Sequence, residues 1–416
     1  MAPGALEPTL MAVTTAAAVQ SPGRALASLR IPSFRWWFFA QILSGSGGMA
    51  QAVGQAWLVL SLTHSGLDLG LLSAATFGPV LLASAWAGAL LDHVDVRRTL
   101  IATQIAAGAF ALVLAVLVTT GAVRVWMVFA LAVANGFVFA IDQPARQLYV
   151  VNLVGRDRIA SAVGLYEVII NASRLIGPAT GAVMLATVGV AACFYINAAS
   201  FIPPFLVLLV YRTGQPRERA AKEPMWGALR EGVSYVRRSP AIAACLVMAV
   251  AAGMVFNLGT ALPVLAERTF GLGGAGYGAL MSCFGIGAIP GGFAAAYSRG
   301  EGVGRKVRVL CLLTGLAVLA VAMAPLGAAA FPLIALVGFF SIWMIALANT
   351  LVQVRSDSRM RGRVMGLWTM ALPGLGPITG IVVGATTQYA GPREGYGLAG
   401  VALAAAAVVS WRSLSE

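Results

Sequence analysis

Glu167, Asn171 and Arg174 are spaced at i, i+4 and i+7 in the stretch ASAVGLYEVIINASRLIGPATGAV, so a helix carries all three on one face. Glu167 is the one acid well inside an apolar span, where a carboxyl group could take up and release a proton. Arg174 keeps its proton under all ordinary conditions, so it would sense the charge on Glu167 or bind an anionic substrate group. The alternative is structural, with Arg174 pairing a backbone carbonyl. An arginine near the middle of a membrane helix costs about 2.5–3.5 kcal/mol on insertion scales. A water-filled cavity and attraction to Glu167 would offset that cost. A second constellation precedes it. Gln41, Ser44, Gly48, Gln51 and Gln55 follow one another at intervals of 3, 4, 3 and 4, again one helix face. Amides on a membrane helix need partners or water, so this stripe either lines a cavity that hydrogen-bonds a polar substrate or glues two helices together.

The elements that carry these residues are membrane spans. Of 416 residues, 59% are hydrophobic and 10% charged, against about 25% charged in a soluble domain. A span takes about 20 apolar residues. Runs of that kind predict six helices at roughly 34–62, 67–91, 98–120, 125–142, 159–187 and 190–211, and six more at roughly 240–266, 275–298, 307–325, 330–353, 363–388 and 394–411. The expected organisation is a cytoplasmic tail over 1–33, a bundle over 34–211, a cytoplasmic linker over 212–239, a second bundle over 240–411 and a cytoplasmic tail over 412–416. Within the linker, Trp226 to Val236 reads as an amphipathic surface helix. The first 30 residues lack a charged region ahead of an apolar core, so they read as a tail and not a cleaved signal peptide.

The formal charge is +13. In a soluble chain that would suggest nucleic acid; here the bases lie in short loops. With both termini inside, 24 of the 28 Lys and Arg residues fall on the inner side, which sets the orientation. Arg124, Arg268 and Arg393 fall outside, and Arg174 lies within a span. Cys193, Cys245, Cys283 and Cys311 are scattered singly and read as packing residues, not metal ligands or disulfides. His64 and His93 lie at helix ends. There is no Walker A sequence, aspartyl-phosphorylation sequence or pair of catalytic carboxylates, so neither an enzyme nor a nucleotide-driven pump is indicated. No cofactor or metal is called for. The chain also repeats itself: RGRVMGLWTMALPGLGPITGIVV, in the eleventh helix, matches the fifth-helix stretch in its Gly-Leu-aromatic and its Gly-Pro with a Gly three residues on. Parallel halves related about the membrane normal are a transporter architecture.

Over nearly all of 33–411 the chain resembles the major facilitator superfamily, an all-α membrane fold of twelve transmembrane helices in two pseudo-symmetric six-helix bundles. GALLDHVDVRR resembles its loop signature between helices 2 and 3: Gly88, Leu90, Asp92, Arg97 and Arg98 match, with His93 where Arg is usual and Asp95 where many members have Gly. FRWWFFAQILSGSGG, DQPARQ and NASRLIGPATG resemble the bacterial branch typified by the enterobactin exporter. Gly177, Pro178 and Gly181 match the antiporter signature, with Ser173 and Ala182 in place of two of its glycines. The resemblance implies several roles. Asp92, Arg97, Arg98, Asp142 and Arg146 would latch helix ends in the outward-facing state. Gly177, Pro178 and Gly181 would pack helices closely. Asn257, Asn349 and Gln353 would line the pathway beside Gln41, Ser44, Gln51, Gln55 and Arg174. Ala132 stands where the fourth-helix signature has its proton-linked arginine, so coupling would rest elsewhere, with Glu167 as the expected group. The implied function is export of small amphipathic molecules (siderophores, natural products or drugs) across the inner membrane by alternating access, driven by an inward ion gradient as proton antiport. Uptake, or a transporter-like sensor, is the rival reading. Pro263, Pro290, Pro373 and Pro377 are expected kinks.

Overall fold

The computed structural model describes residues 27–91, 94–154, 158–212, 225–298, 302–357, 360–411 and 413–414, with the side chains of 84–89, 159–160, 163–164, 167, 225–229 and 373 outside that description. A 3₁₀ turn (Ala27–Arg30) leads into α1 (Pro32–Thr63), which starts on Pro32 and stops where His64 turns left-handed at φ 53°. Then follow α2 (Gly66–Leu91), α3 (Val96–Thr119), α4 (Val125–Val154) and α5 (Ile159–Thr187). The pair α6 (Val190–Ser200) and α7 (Ile202–Val210) forms one span. Next come α8 (Met225–Arg238), α9 (Pro240–Phe256), α10 (Leu258–Val264) with a π turn at Leu265–Thr269, α11 (Gly273–Tyr297), α12 (Val303–Met323) and α13 (Gly327–Arg355). The last are α14 (Arg361–Thr369), a π turn at Met370–Gly374, α15 (Gly376–Tyr389) and α16 (Pro392–Val409).

Among the described residues, nine helical segments are long and apolar enough to cross a bilayer. The α1 helix, the broken 240–269 segment and α16 stand outside that set and bring the long segments to twelve. α1 has ample length at 32 residues; its serines, glycines and glutamines are what dilute it. One expected boundary shifts well along the chain, and the breaks fall as follows. α4 does not stop at 142 but runs on through Pro144 to Val154, leaving the Ala140 carbonyl without its N–H partner. The seventh segment breaks at Asn257, whose φ −79°, ψ 44° leave the helical region, and Pro263 lies inside α10 just before the π turn. Pro290 sits within an uninterrupted α11, whereas Pro373 and Pro377 flank the break between α14 and α15. The expected linker helix is present as α8, turned 112° from α9, and Glu231 pairs with Arg363 of α14.

α1 packs on α5 and α6, α2 on α4, α11 on α13, and α12 on α16. The most extensive contacts joining the first seven helices to the rest are α2 against α15 and α5 against α11, with α10 also touching α1 and α2. Both crossings are close because glycines meet backbone. A Cβ on Gly70 would stand 2.5 Å from the Gly380 carbonyl oxygen, and one on Gly278 would stand 2.6 Å from Ala182 Cα. Small residues permit such approach in membranes, where van der Waals contact drives helix association.

The α12–α16 pair is clasped at both ends. Arg308, early in α12, donates to the Trp411 carbonyl at 2.5 Å, with its guanidinium 3.8 Å from the Trp411 ring centroid. Arg393, at the start of α16, donates to the Ala322 and Ala324 carbonyls at 2.8 and 3.0 Å. Helix C-termini present unpaired carbonyls and a negative partial charge, and a cation answers both. The same reasoning accounts for Arg268, which donates to the His64 carbonyl at the end of α1.

Candidate functional site

The two crossings meet at the break between α9 and α10, and two consecutive residues there reach one crossing each. Asn257 serves the α2–α15 side. Ser73 of α2 donates to Asn257 Oδ1 at 2.9 Å, Asn257 Nδ2 donates to Thr379 Oγ1 at 2.7 Å, and Thr379 Oγ1 donates to the Leu375 carbonyl at 3.1 Å. Longer approaches from Nδ2 to the Gly376 and Gly253 carbonyls are both 3.3 Å. Carbonyl oxygens only accept, so these two contacts suit the amide's N–H end and place Oδ1 toward Ser73. The break itself frees the side chain from a regular helical position and lets it lie between the helices.

Phe256 serves the other side. The Arg174 guanidinium lies 5.6 Å from the Phe256 ring centroid, and Phe256 meets Phe284 edge-on at 5.9 Å. α5 crosses α11 at this depth, where a Cβ on Gly285 would stand 2.7 Å from the Arg174 carbonyl oxygen. A cation–π contact contributes about 0.5–2 kcal/mol, comparable with the insertion cost of the arginine. The side chain of Glu167, its expected partner, lies outside the described residues.

The α1 stripe is divided. Gln41 is 3% exposed, and its Oε1 accepts from Arg146. Gln51 Oε1 accepts from Asn197 Nδ2 at 2.8 Å, and Ser44 is buried. In this conformation Gln41 and Gln51 bond to neighbouring helices and Ser44 is buried. Gly48 and Ala52 are exposed and Gln55 half-buried. Gly48 and Ala52 each lie nine residues, two and a half turns, from the exposed Phe39 and Leu43. One exposed side is large and apolar; the opposite one is small and includes an amide. Only the first suits lipid.

Asp142 and Arg146 form a buried centre within the same group of helices. Asp142 is 4% exposed and accepts from Thr103 Oγ1 at 2.7 Å, Gln104 Nε2 at 2.9 Å and Arg146 Nε. Arg146 bridges on to Gln41, so α3, α4 and α1 share one network. Arg97 donates to the Leu208 and Leu209 carbonyls at 2.6 and 3.1 Å, capping α7. Arg98 is exposed. Asp95 caps α3 by accepting from the Arg98 N–H at 2.9 Å, a reason for an acid where Gly was expected. The partners found here for Arg97, Asp142 and Arg146 all lie in the first seven helices. Asp92 lies outside the described residues. Gly177 and Gly181 back onto α1, where their Cβ atoms would stand 2.6 Å from the Ser46 carbonyl oxygen and 3.2 Å from Val53 Cβ; Pro178 is buried between them. Asn349 and Gln353 bond each other at 2.6 Å along α13. Sequence reasoning missed Ser73, Phe256 and Thr379, which carry no periodic signal. The one available hint was Asn257, an amide in an otherwise apolar span.

Two crossings between helical bundles, with polar groups gathered where they meet, suit a membrane transporter, and a family match puts the chain in the major facilitator superfamily. A family model described as "Transmembrane secretion effector" matches residues 23–414, and the chain belongs to that family. It is a membrane transporter and not an enzyme. It is 26% identical to the multidrug efflux pump Tap of Mycolicibacterium fortuitum over 85% of this chain and 88% of that protein. It is 26% identical to the staphyloferrin A transporter of Staphylococcus aureus (81% and 85%) and 25% identical to the enterobactin exporter EntS of Shigella flexneri (85% and 83%). Among solved structures, the nucleoside transporter NupG aligns with TM-score 0.67 at 13% identity, covering 92% of this chain and 98% of that one. A bacterial homologue of the lysosomal transporter Spinster, inward-facing and unoccupied, aligns with TM-score 0.66 at 15% identity, covering 95% and 98%.

Proposed function

We propose that the protein exports small amphipathic molecules across the inner membrane by proton antiport, alternating access by rocking residues 34–211 against 240–411. The observation that carries this reading is the placing of the links between these segments. Gly66 N donates to Gln388 Oε1 at 2.8 Å, Arg268 reaches His64, and Ser73 meets Asn257. They run from one end of the bundle to its middle. The basic loops assign that end to the outside and both termini to the cytoplasm, so this conformation would load its substrate from within. The names of two relatives, an efflux pump and an enterobactin exporter, support that direction.

In this mechanism Glu167 exchanges the proton and Arg174 attracts an acidic substrate group once Glu167 is neutral. Gln55, Asn349 and the face of α1 at Gly48 line the route. Asn257 bonds to protein in the present state and turns to the substrate when Ser73 withdraws. Asp92, Arg97, Arg98, Asp142 and Arg146 hold the inner ends in the opposite state. The test is transport in proteoliposomes of purified protein with a fluorescent amphipathic cation such as ethidium. An imposed pH gradient should drive it and a protonophore should stop it. ATP-dependent movement that survives the protonophore would overturn the reading.

A further inference from the structure

The linker helix α8 lies outside the spans. Its 14 residues end at Arg238, and Ser239 alone separates them from Pro240, where α9 begins. The two helices meet at 112°, so with α9 crossing the bilayer α8 runs roughly along the membrane surface. Protein holds it there. Gly232 is buried, and a Cβ on it would stand 3.3 Å from Leu367 Cδ1 and 3.4 Å from Arg363 Cβ of α14. Tyr235 and Val236 pack against the core, the Tyr235 hydroxyl accepts from the Asp357 N–H at 3.1 Å, and Glu231 pairs with Arg363. Leu367 lies six residues, about 9 Å, along α14 from its first residue. α8 is therefore seated against the flank of α14 and not beneath its tip.

The other side of α8 is a row of cations. Arg230, Ser234, Arg237 and Arg238 are all exposed, and at i, i+4, i+7 and i+8 they share the side opposite Gly232. Among the described residues no acid pairs with any of these arginines. The one acid of α8, Glu231, is already answered by Arg363. Arg237 and Arg238 stand three and two residues ahead of the first residue of a span, the depth at which bases meet the headgroup layer. Anionic lipids attract bases placed there.

We propose that this arginine row is a binding surface for the phosphate groups of anionic phospholipids in the adjoining leaflet. A free amphipathic helix attaches by sinking its apolar face into the bilayer. In α8 protein already covers that face, so charge and hydrogen bonding make the attachment. The guanidinium fork matches phosphate oxygens, and the Ser234 hydroxyl in the same row adds a donor. Glu231 and Tyr235 then tie the lipid-bound helix to α14 and to the turn before it. None of this depends on transport direction or coupling.

The test uses the full-length protein in vesicles of phosphatidylcholine and phosphatidylglycerol, the same in both leaflets. A fluorophore is attached through Ser234→Cys in a background with the four native cysteines replaced. A nitroxide quencher is carried near the headgroup by one lipid and then, in equal amount, by the other. Phosphatidylglycerol should quench more strongly, reflecting a local enrichment of roughly fivefold per arginine engaged. The preference should fade in about 1 M salt, where the Debye length is about 3 Å, and should vanish in Arg230→Gln/Arg237→Gln/Arg238→Gln. It should persist in Arg305→Gln/Lys306→Gln, which removes two exposed bases at the start of α12; loss there too would mean a diffuse charge effect and overturn the proposal. Equal quenching by the two lipids in the otherwise unsubstituted protein would also overturn it. So would quenching by neither, which places the row in open solvent, or a preference that survives the triple substitution or is unmoved by salt.

Discussion

Gly70→Ala places one methyl group where α2 crosses α15. The added carbon would stand 2.5 Å from the Gly380 carbonyl oxygen and 3.1 Å from Ile381 Cα, both backbone atoms that cannot swing aside. Ordinary contact begins at 3.4 Å, so the helices must part by roughly 0.9 Å. Two hydrogen bonds span that crossing nearby, Gly66 N to Gln388 at 2.8 Å and Ser73 to Asn257 at 2.9 Å. Stretched by that amount, both pass out of hydrogen-bond range. At about 0.5–1.5 kcal/mol each, their loss disfavours the present conformation by about 1–3 kcal/mol, a population shift of roughly 5–150-fold. Electron–electron resonance between nitroxides at Thr120 and Tyr389, both exposed and on opposite sides of the crossing, reads the change directly. The labels require a background with the four native cysteines replaced. Gly70→Ala should move the distance distribution to longer values. Gly78→Ala, on the same helix with no atom within 4 Å of its Cβ, should leave it alone. A Gly70→Ala distribution that superimposes on the wild type would refute the reasoning.

Other expectations follow from the same geometry. Asn257→Ala removes the amide that joins Ser73 to Thr379, so the same pair of labels should report a wider end and substrate binding should weaken; unchanged values for both would leave Asn257 a passive packing residue. Arg146→Ala strands a buried carboxylate, which typically costs about 3–5 kcal/mol, and should lower the melting temperature in detergent well below that of Arg98→Ala. Equal melting temperatures for those two variants would place Asp142 in a wetter setting than described. Glu167→Gln should abolish pH-driven exchange while sparing substrate binding, and Arg174→Ala should weaken anionic substrates more than neutral ones; wild-type behaviour in both variants would make the pair structural. Asp92→Asn should slow turnover with normal membrane insertion, as measured by initial rates in proteoliposomes, and an unchanged rate would reduce Asp92 to a surface charge.

Hydrophobic run lengths located the spans, because crossing a bilayer fixes how many apolar residues a helix needs. Side-chain duties were less legible. Gln41 and Gln51 share a stripe with Gln55, but their partners, Arg146 and Asn197, are 105 and 146 residues away. Periodicity marks a face and is silent on what that face meets. The apolar run places the fourth helix at 125–142, because it ends at the polar DQPARQ; packing of Ala145 and Tyr149, both fully buried, carries α4 on through Pro144. The two Gly-Pro stretches match in sequence yet differ in partner. Gly177 and Gly181 back onto α1, whereas Gly380 faces Ser73 of α2. A repeat preserves the small residue and leaves open which neighbour uses the space. The arginines on the outer side were exceptions to the charge rule, and two of them, Arg268 and Arg393, are engaged by helix-end carbonyls.

The mutual capping of α12 and α16 has a mechanical consequence. Each helix begins beside the other's end, and each holds the other's last carbonyls through an arginine. Sliding one along the other by a single turn, about 5.4 Å, would tear the clasp at both ends together. Two antiparallel rods pinned in this way resist shear and move as one strut. Force applied at one tip of α16 is then carried to the other, and among the described residues nearby the step from Phe256 to Asn257 is a break in the helix that can take up the deformation.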